Sequence, residues 1–179
     1  MKKNYLILLL LLATLIFSCK RDDEENQTIS DKYFVKFKVN DIQKNDYYNP
    51  KIDDFEESSI FEEYPSGSYT FQLLDIISVQ FKKEGFKAQY YSSSSFDVSA
   101  NTPMRLRWFK YVDPATGIKF ESTSNISGSN MTFNIIEVKN GEVRGTFSGK
   151  FNTSTNGNST GNLKTFNITN GEFYVPIKP

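Results

Sequence analysis

From Tyr33 onward apolar side chains recur at every second position. Tyr33, Val35, Phe37 and Val39 alternate with Phe34, Lys36 and Lys38, the period of a strand with one buried face. Residues 41–67 break the pattern. They carry Asp41, Asp46, Asp53, Asp54, Glu56, Glu57, Glu62 and Glu63 against Lys44 and Lys51, a local net of −6, together with Pro50 and Pro65. The expectation there is a long loop or an irregular edge segment, with room for one helical turn over 53–63. Strand-like runs resume at Tyr69–Leu74 and Ile76–Lys82, then at Phe86–Tyr91, Met104–Tyr111 and Ile118–Ser122. Met131–Val138 and Glu142–Phe151 flank Lys139-Asn140-Gly141, and Asn-Gly between two β runs is the strongest short hairpin signal, because a type I′ turn needs positive φ at both central residues. Gly145 and Gly149 inside the second run predict bulges or close backbone approach. Residues 152–162 (NTSTNGNSTGN) form an uncharged, flexible polar loop. Leu163–Thr169 and Glu172–Ile177 surround Asn170-Gly171 and read either as a second hairpin or as one bulged strand. No amphipathic helix of useful length is present. About nine or ten short strands with regular turn signals predict an all-β chain, a single antiparallel β-sandwich or barrel-like domain over residues 33–179.

Before Tyr33 the chain changes character. Lys2 and Lys3 precede an apolar run from Leu6 to Phe17, 12 residues interrupted only by Thr14. At about 1.5 Å per residue this run reaches roughly 18 Å, short of the ~30 Å hydrocarbon core, so it reads as the h-region of a signal peptide rather than a span. The run closes on Ile16-Phe17-Ser18-Cys19, which resembles the lipobox of bacterial lipoproteins: an aliphatic residue, a small residue, then the Cys that is acylated. The alternative is an ordinary secretory signal followed by a chance Cys. The resemblance implies removal of residues 1–18 and at least two acyl chains on Cys19, enough for stable anchorage where one chain holds only weakly. The next residues, Lys20, Arg21, Asp22, Asp23, Glu24 and Glu25, look like the charged export signal that sends lipoproteins of the Bacteroidetes type to the cell surface. The alternative reading is that these charges only keep the tether solvated. Residues 19–32 are expected to be a disordered tether carrying the lipid, with a reach of roughly 20 Å root-mean-square.

Composition sharpens this picture mostly by exclusion. The 179 residues include no His and one Cys. Imidazole-based zinc sites, Ser-His and Cys-His nucleophile pairs and histidine pH switches are therefore excluded, as is an internal disulfide. Without residues 1–18 the formal balance of 21 basic against 21 acidic side chains becomes 19 against 21, a net of −2. Such a chain has no electrostatic footprint for nucleic acid.

The C-terminal third carries a second resemblance. Gly145-Thr146-Phe147-Ser148-Gly149, followed by Ile168-Thr169-Asn170-Gly171-Glu172-Phe173, is similar to the ending of small lipoproteins of the Bacteroidetes type, whose first strand opens much as Tyr33–Asn40 does here. Those relatives place a turn pair directly after the residue matching Asn40, where this chain has Asp41-Ile42-Gln43. The family carries no established reaction, so the resemblance implies a fold and an outer-membrane address, and no chemistry.

Three groups of residues could carry chemistry. Asp53, Asp54, Glu56, Glu57, Glu62 and Glu63 could supply oxygens to Ca²⁺, but the spacing lacks the turn glycine of the helix-loop-helix calcium pattern, and a solvated acidic loop is the favoured reading. Adjacent carboxylates on a strand face opposite sides, which makes Asp53 and Asp54 a poor glycosidase pair. In Arg105-Leu106-Arg107-Trp108-Phe109-Lys110-Tyr111, strict alternation would put Leu106 and Trp108 on one face and Arg105, Arg107, Phe109 and Tyr111 on the other. Two arginines beside rings could bind a sugar, an acidic polysaccharide or a partner's carboxylates. The duller reading buries Trp108 and leaves the arginines at the rim of a sheet. Tyr90, Tyr91 and the serines after them have the composition of an adaptable recognition loop or of a plain flexible one. The Asn-x-Ser/Thr sequons at Asn125, Asn130, Asn152 and Asn167 reflect an Asn/Ser/Thr-rich β composition.

The expectation is a lipid-anchored protein of the bacterial outer membrane, displayed at the cell surface. Its β domain is expected to be non-catalytic, to need no cofactor or metal, and to bind a glycan, peptide or envelope partner, with Arg105, Arg107, Trp108, Tyr111, Tyr90 and Tyr91 as contact residues. The alternatives are a lipocalin-like barrel holding a small apolar ligand and a structural envelope component with no small ligand.

Overall fold

A computed structural model describes residues 33–48, 60–65, 67–97 and 101–178. The signal region, Cys19 and the tether lie outside the described residues, as do Asp53, Asp54, Glu56 and Glu57. The described chain is all-β, with eleven strands: β1 (Tyr33–Val39), β2 (Ile42–Tyr48), β3 (Ile60–Tyr64), β4 (Ser68–Leu73), β5 (Ile77–Lys82), β6 (Tyr90–Ser93), β7 (Met104–Val112), β8 (Lys119–Ser122), β9 (Asn130–Lys139), β10 (Glu142–Ser154) and β11 (Leu163–Lys178). They form one sheet in the order β2-β1-β11-β3-β4-β5-β7-β8-β10-β9-β6, and a β10–β11 pairing closes it into a ring.

The ring folds into two layers. One layer is β6-β9-β10-β11-β1-β2 and the other is β3-β4-β5-β7-β8. They join at two corners: β11 runs parallel to β3 through Ile177↔Phe61 and Lys178↔Glu62, and β10 meets β8 at Ser154↔Glu121. The parallel corner departs from the wholly antiparallel sheet expected, and the remaining pairings are antiparallel.

Period-two burial builds the core between the layers. Val35, Phe37 and Val39 of β1 face inward as the alternation requires. Rings then meet across the gap: Phe71 and Phe173 have centroids 4.7 Å apart, Phe81 and Phe133 5.3 Å, and Phe109 stacks on Phe151 at 4.4 Å. Each buried Phe contributes about 1.5–3 kcal/mol by leaving water, and each such pair adds about 0.5–1.5 kcal/mol.

Turn chemistry sets the registers. Asn140 and Gly141 take φ of 55° and 75° between Lys139 and Glu142, the hairpin anticipated from Asn-Gly. Asn40 and Asp41 do the same at φ 45° and 68°, joining β1 to the end strand β2 within the stretch expected to be a long loop or an irregular edge segment. Asn and Asp tolerate the left-handed region better than other side chains, so Asn-Asp here does the work of Asn-Gly.

Two further differences have local causes. β11 is one bulged strand rather than a hairpin: Asn170 takes φ 52°, and both neighbours slip register beside it, β1 between Lys36 and Lys38 and β10 between Phe147 and Gly149. The run expected at Phe86–Tyr91 is a strand only from Tyr90, because Gly85 turns the chain at φ 77° and sends the Phe86 ring against Phe61, Phe81 and Tyr91.

Candidate functional site

β7 decides where the candidate residues point. Its pairing with β5 slips by one residue: Val79 lies opposite Leu106, but Ser78 lies opposite Trp108, so Arg107 is an extra residue in a bulge. Beyond the bulge the alternation is inverted. Leu106, Phe109 and Tyr111 are buried, while Arg105, Arg107, Trp108 and Lys110 share the outer face of the layer. The strict alternation expected from the sequence, with Phe109 and Tyr111 beside the arginines, is thus corrected, and so is a buried Trp108.

The six proposed contact residues therefore separate. Arg105, Arg107 and Trp108 stay together. Tyr111 lies in the core, 5% exposed, with its ring 4.9 Å from that of Phe166. Its hydroxyl is buried without a hydrogen-bond partner, and burial, followed by the nearby Asp113, pushes its pKa up. Tyr91 is buried as well, its hydroxyl accepting from the Lys87 N–H at 3.0 Å and donating to the Lys87 carbonyl. Tyr90 is exposed, on β6 opposite Asn134 of β9, and is not one of the outward residues of β7.

Neighbouring strands supply the rest of the outer face. On β4 and β5 the outward positions are Ser68, Thr70, Gln72, Ser78, Gln80 and Lys82, and Thr70 and Ser78 are buried as a floor beneath longer side chains. Arg105 donates through Nε to Gln80 Oε1 at 2.7 Å, and Gln80 Nε2 donates to Ser68 Oγ at 2.5 Å. Arg107 Nη1 lies 3.5 Å from Thr70 Oγ1, and the guanidinium is close enough to the Tyr64 phenol to oppose the rise in its pKa. That phenol is pushed above its ordinary pKa by partial burial, then by its hydrogen bond to Glu62. Lys110 Nζ sits 4.7 Å from the centre of the Trp108 ring. Lys82 donates to Asn101.

Tyr64, Thr70, Gln80, Lys82 and Lys110 were not anticipated as part of a site. The period-two polar positions of β4 and β5 were the available signal, but which strands lie beside β7 is not written in its own sequence. Chemically the face offers guanidinium and ammonium donors, half-exposed aromatic edges, and hydroxyl and amide groups.

Elsewhere, Glu62 and Glu63 face opposite sides of β3, and Glu63 pairs with Lys83. Among the described residues no group of three or more His, Cys, Asp or Glu could hold a metal ion. Two open grooves lie away from β7. One, about 500 Å³, is lined by Asn40, Asp41, Thr165, Asn167 and Thr169. The other, about 200 Å³, is lined by Glu137, Lys139, Asn140, Glu142, Arg144 and Tyr174. No family model, curated protein or solved structure matches the chain.

Proposed function

We propose that the protein is a lipid-anchored, surface-displayed envelope protein whose β domain binds a glycan, peptide or envelope partner without catalysing a reaction. The binding surface is the outer face of β7 with its neighbours. The observation that carries the reading is the bulge at Arg107, which gathers Arg105, Arg107, Trp108 and Lys110 on one exposed face. The anchorage rests on the apolar run ending at Cys19, and surface display on the charged residues 20–25.

The barrel-carrier alternative has less support. The rows of rings that meet between the layers, such as Phe109 on Phe151 and Phe71 on Phe173, occupy the space where an apolar ligand would sit.

Two experiments test the proposal. Protease applied to intact cells should digest the domain, and complete protection would defeat surface display. An array of glycans and peptides probed with the mature lipoprotein should give signals that R107A/W108A loses while its melting temperature is kept. An array with no signal, or signals indifferent to the double substitution, would favour a structural envelope role.

A further inference from the structure

Resting on the proposed binding face, we infer that its ligand is an acidic polysaccharide, an extended sugar chain bearing carboxylates. The first ground is charge. The outer face of the β3-β4-β5-β7-β8 layer carries Lys82, Arg105, Arg107, Lys110 and Lys119 against Glu62 and Glu121, a net of +3. The face is therefore positive in a chain whose net after residue 18 is −2.

The second ground is how the cations are partnered. On the other layer Lys36 pairs with Glu172 at 3.0 Å and Arg144 with Glu137 at 2.9 Å, and at the rim of the β7 face Lys119 pairs with Glu121 at 2.8 Å. On the β7 face the side chains beside Lys82, Arg107 and Lys110 are Asn101, Thr70 with Tyr64, and Trp108, with Glu121 across the strand pair from Lys110. Guanidinium and ammonium groups held by neutral side chains are suited to carboxylates supplied from outside, and a guanidinium takes a carboxylate bidentately.

Shape selects a polymer. The row from Lys82 to Lys110 follows β7 for on the order of 20 Å at about 3.3 Å per residue. Neither of the open grooves reaches it. A flat row of that length suits an extended chain better than a compact molecule.

Chemistry then separates a glycan from an acidic peptide. Peptides that bind sheets commonly add as a strand at a free edge. β7 has none to offer, since β5 lies on one side, while β8 and the carbonyl of Ser95, which accepts from the Leu106 N–H at 2.8 Å, cover the other. What the face does offer beside its charges is the half-buried amides of Gln72 and Gln80, with the exposed Tyr64 ring and the half-buried Trp108 ring, groups that suit sugar hydroxyls and ring C–H faces.

The test uses the lipidated mature protein in detergent micelles, titrated with polygalacturonate, neutral dextran and poly-L-glutamate at several salt concentrations. Polygalacturonate should bind at least tenfold more tightly than dextran or poly-L-glutamate and weaken as salt rises. Because a hydrogen bond to a charged group is lost, R107A should weaken it about tenfold, and R107K, which keeps the charge but not the fork, should recover only part of that loss. Dextran bound as tightly as polygalacturonate, and lost in R107A, would overturn the acidic class while leaving the binding face in place. Poly-L-glutamate bound as tightly, by the same face, would overturn the glycan assignment. Binding of all three unchanged in R107A would overturn the face itself, as would binding of none.

Discussion

Gly145 lies opposite Phe173 across the β10–β11 pair, and Phe147 lies opposite Gly171. Each glycine is covered by the ring facing it or by that residue's backbone: a Cβ on Gly171 would meet the Phe147 carbonyl and ring, and one on Gly145 would meet the Asn134 carbonyl and the Phe173 ring. The two Gly-x-Phe strings at Gly145-Thr146-Phe147 and Gly171-Glu172-Phe173 are therefore reciprocal halves of one packing unit, in which a ring fills the space a missing side chain leaves. Substituting Gly171→Ala should cost about 1–3 kcal/mol through overpacking, read as a lower urea midpoint, and a midpoint unchanged from the parent protein would refute the unit. Tyr111 allows the opposite prediction. Its buried hydroxyl lacks a partner, so Tyr111→Phe should raise stability by about 1 kcal/mol, visible as a higher melting temperature; a clear drop would show that the hydroxyl does useful bonding. Gly171 read only as half of an Asn-Gly turn or bulge signal, while a bulge or close approach at Gly145 was legible from the residues. The rings that cover them were not, since pairing depends on register.

Elements with one buried face were the most legible. β1, β9 and β10 run within three residues of the boundaries that alternation predicts, because each has a continuous apolar side. β2 was not legible. It is an end strand, Ile-Gln-Lys-Asn-Asp-Tyr-Tyr, whose first residue Ile42 is 46% exposed, so its opening shows no inward apolar alternation. β6, at the other end of the sheet, is four residues of Tyr and Ser for the same reason. The bulge in β7 was invisible because alternation assumes an unbroken register, and a one-residue slip moves every following side chain to the other face. A different element ties β7 to β11: Asp113, just beyond β7, accepts from the Ala115 N–H at 3.0 Å and pairs with Lys164 Nζ at 3.1 Å. The Ala115 N–H first, then the Lys164 ammonium, hold its carboxyl below the ordinary 3.8. With the folded pKa below the unfolded one, the stabilisation is present above that ordinary value and is lost as pH falls through the folded value. Asp113→Asn should therefore flatten the acid limb of the stability curve below about pH 4 and leave the slope near neutrality unchanged; an identical acid limb in both proteins would contradict this.

At the scale of the whole molecule, two layers joined at two corners leave each layer with an outer face of distinct chemistry. One carries the Lys36–Glu172 and Arg144–Glu137 pairs, and the other carries the β7 row. The parallel corner rests on Ile177 and Lys178 alone, too short a signal for sequence patterning, whereas the all-β class follows from strands distributed along the entire chain. Tyr33, the first strand residue after the expected tether, donates to Glu142 Oε1 at 2.5 Å and packs edge-on against Tyr174, so β1 starts from a fixed point on the first layer. The outer face of β7 belongs to the other layer. The most direct test of that face as the binding surface is a comparison of two charge-matched variants of the lipidated mature protein. Arg107→Ala removes a cation from the β7 row, and Lys150→Ala removes an exposed one from β10, on the outer face of the opposite layer. Measured against polygalacturonate, Arg107→Ala should weaken binding about tenfold while Lys150→Ala leaves it unchanged. Equal losses in the two variants, or a loss only in Lys150→Ala, would contradict the account.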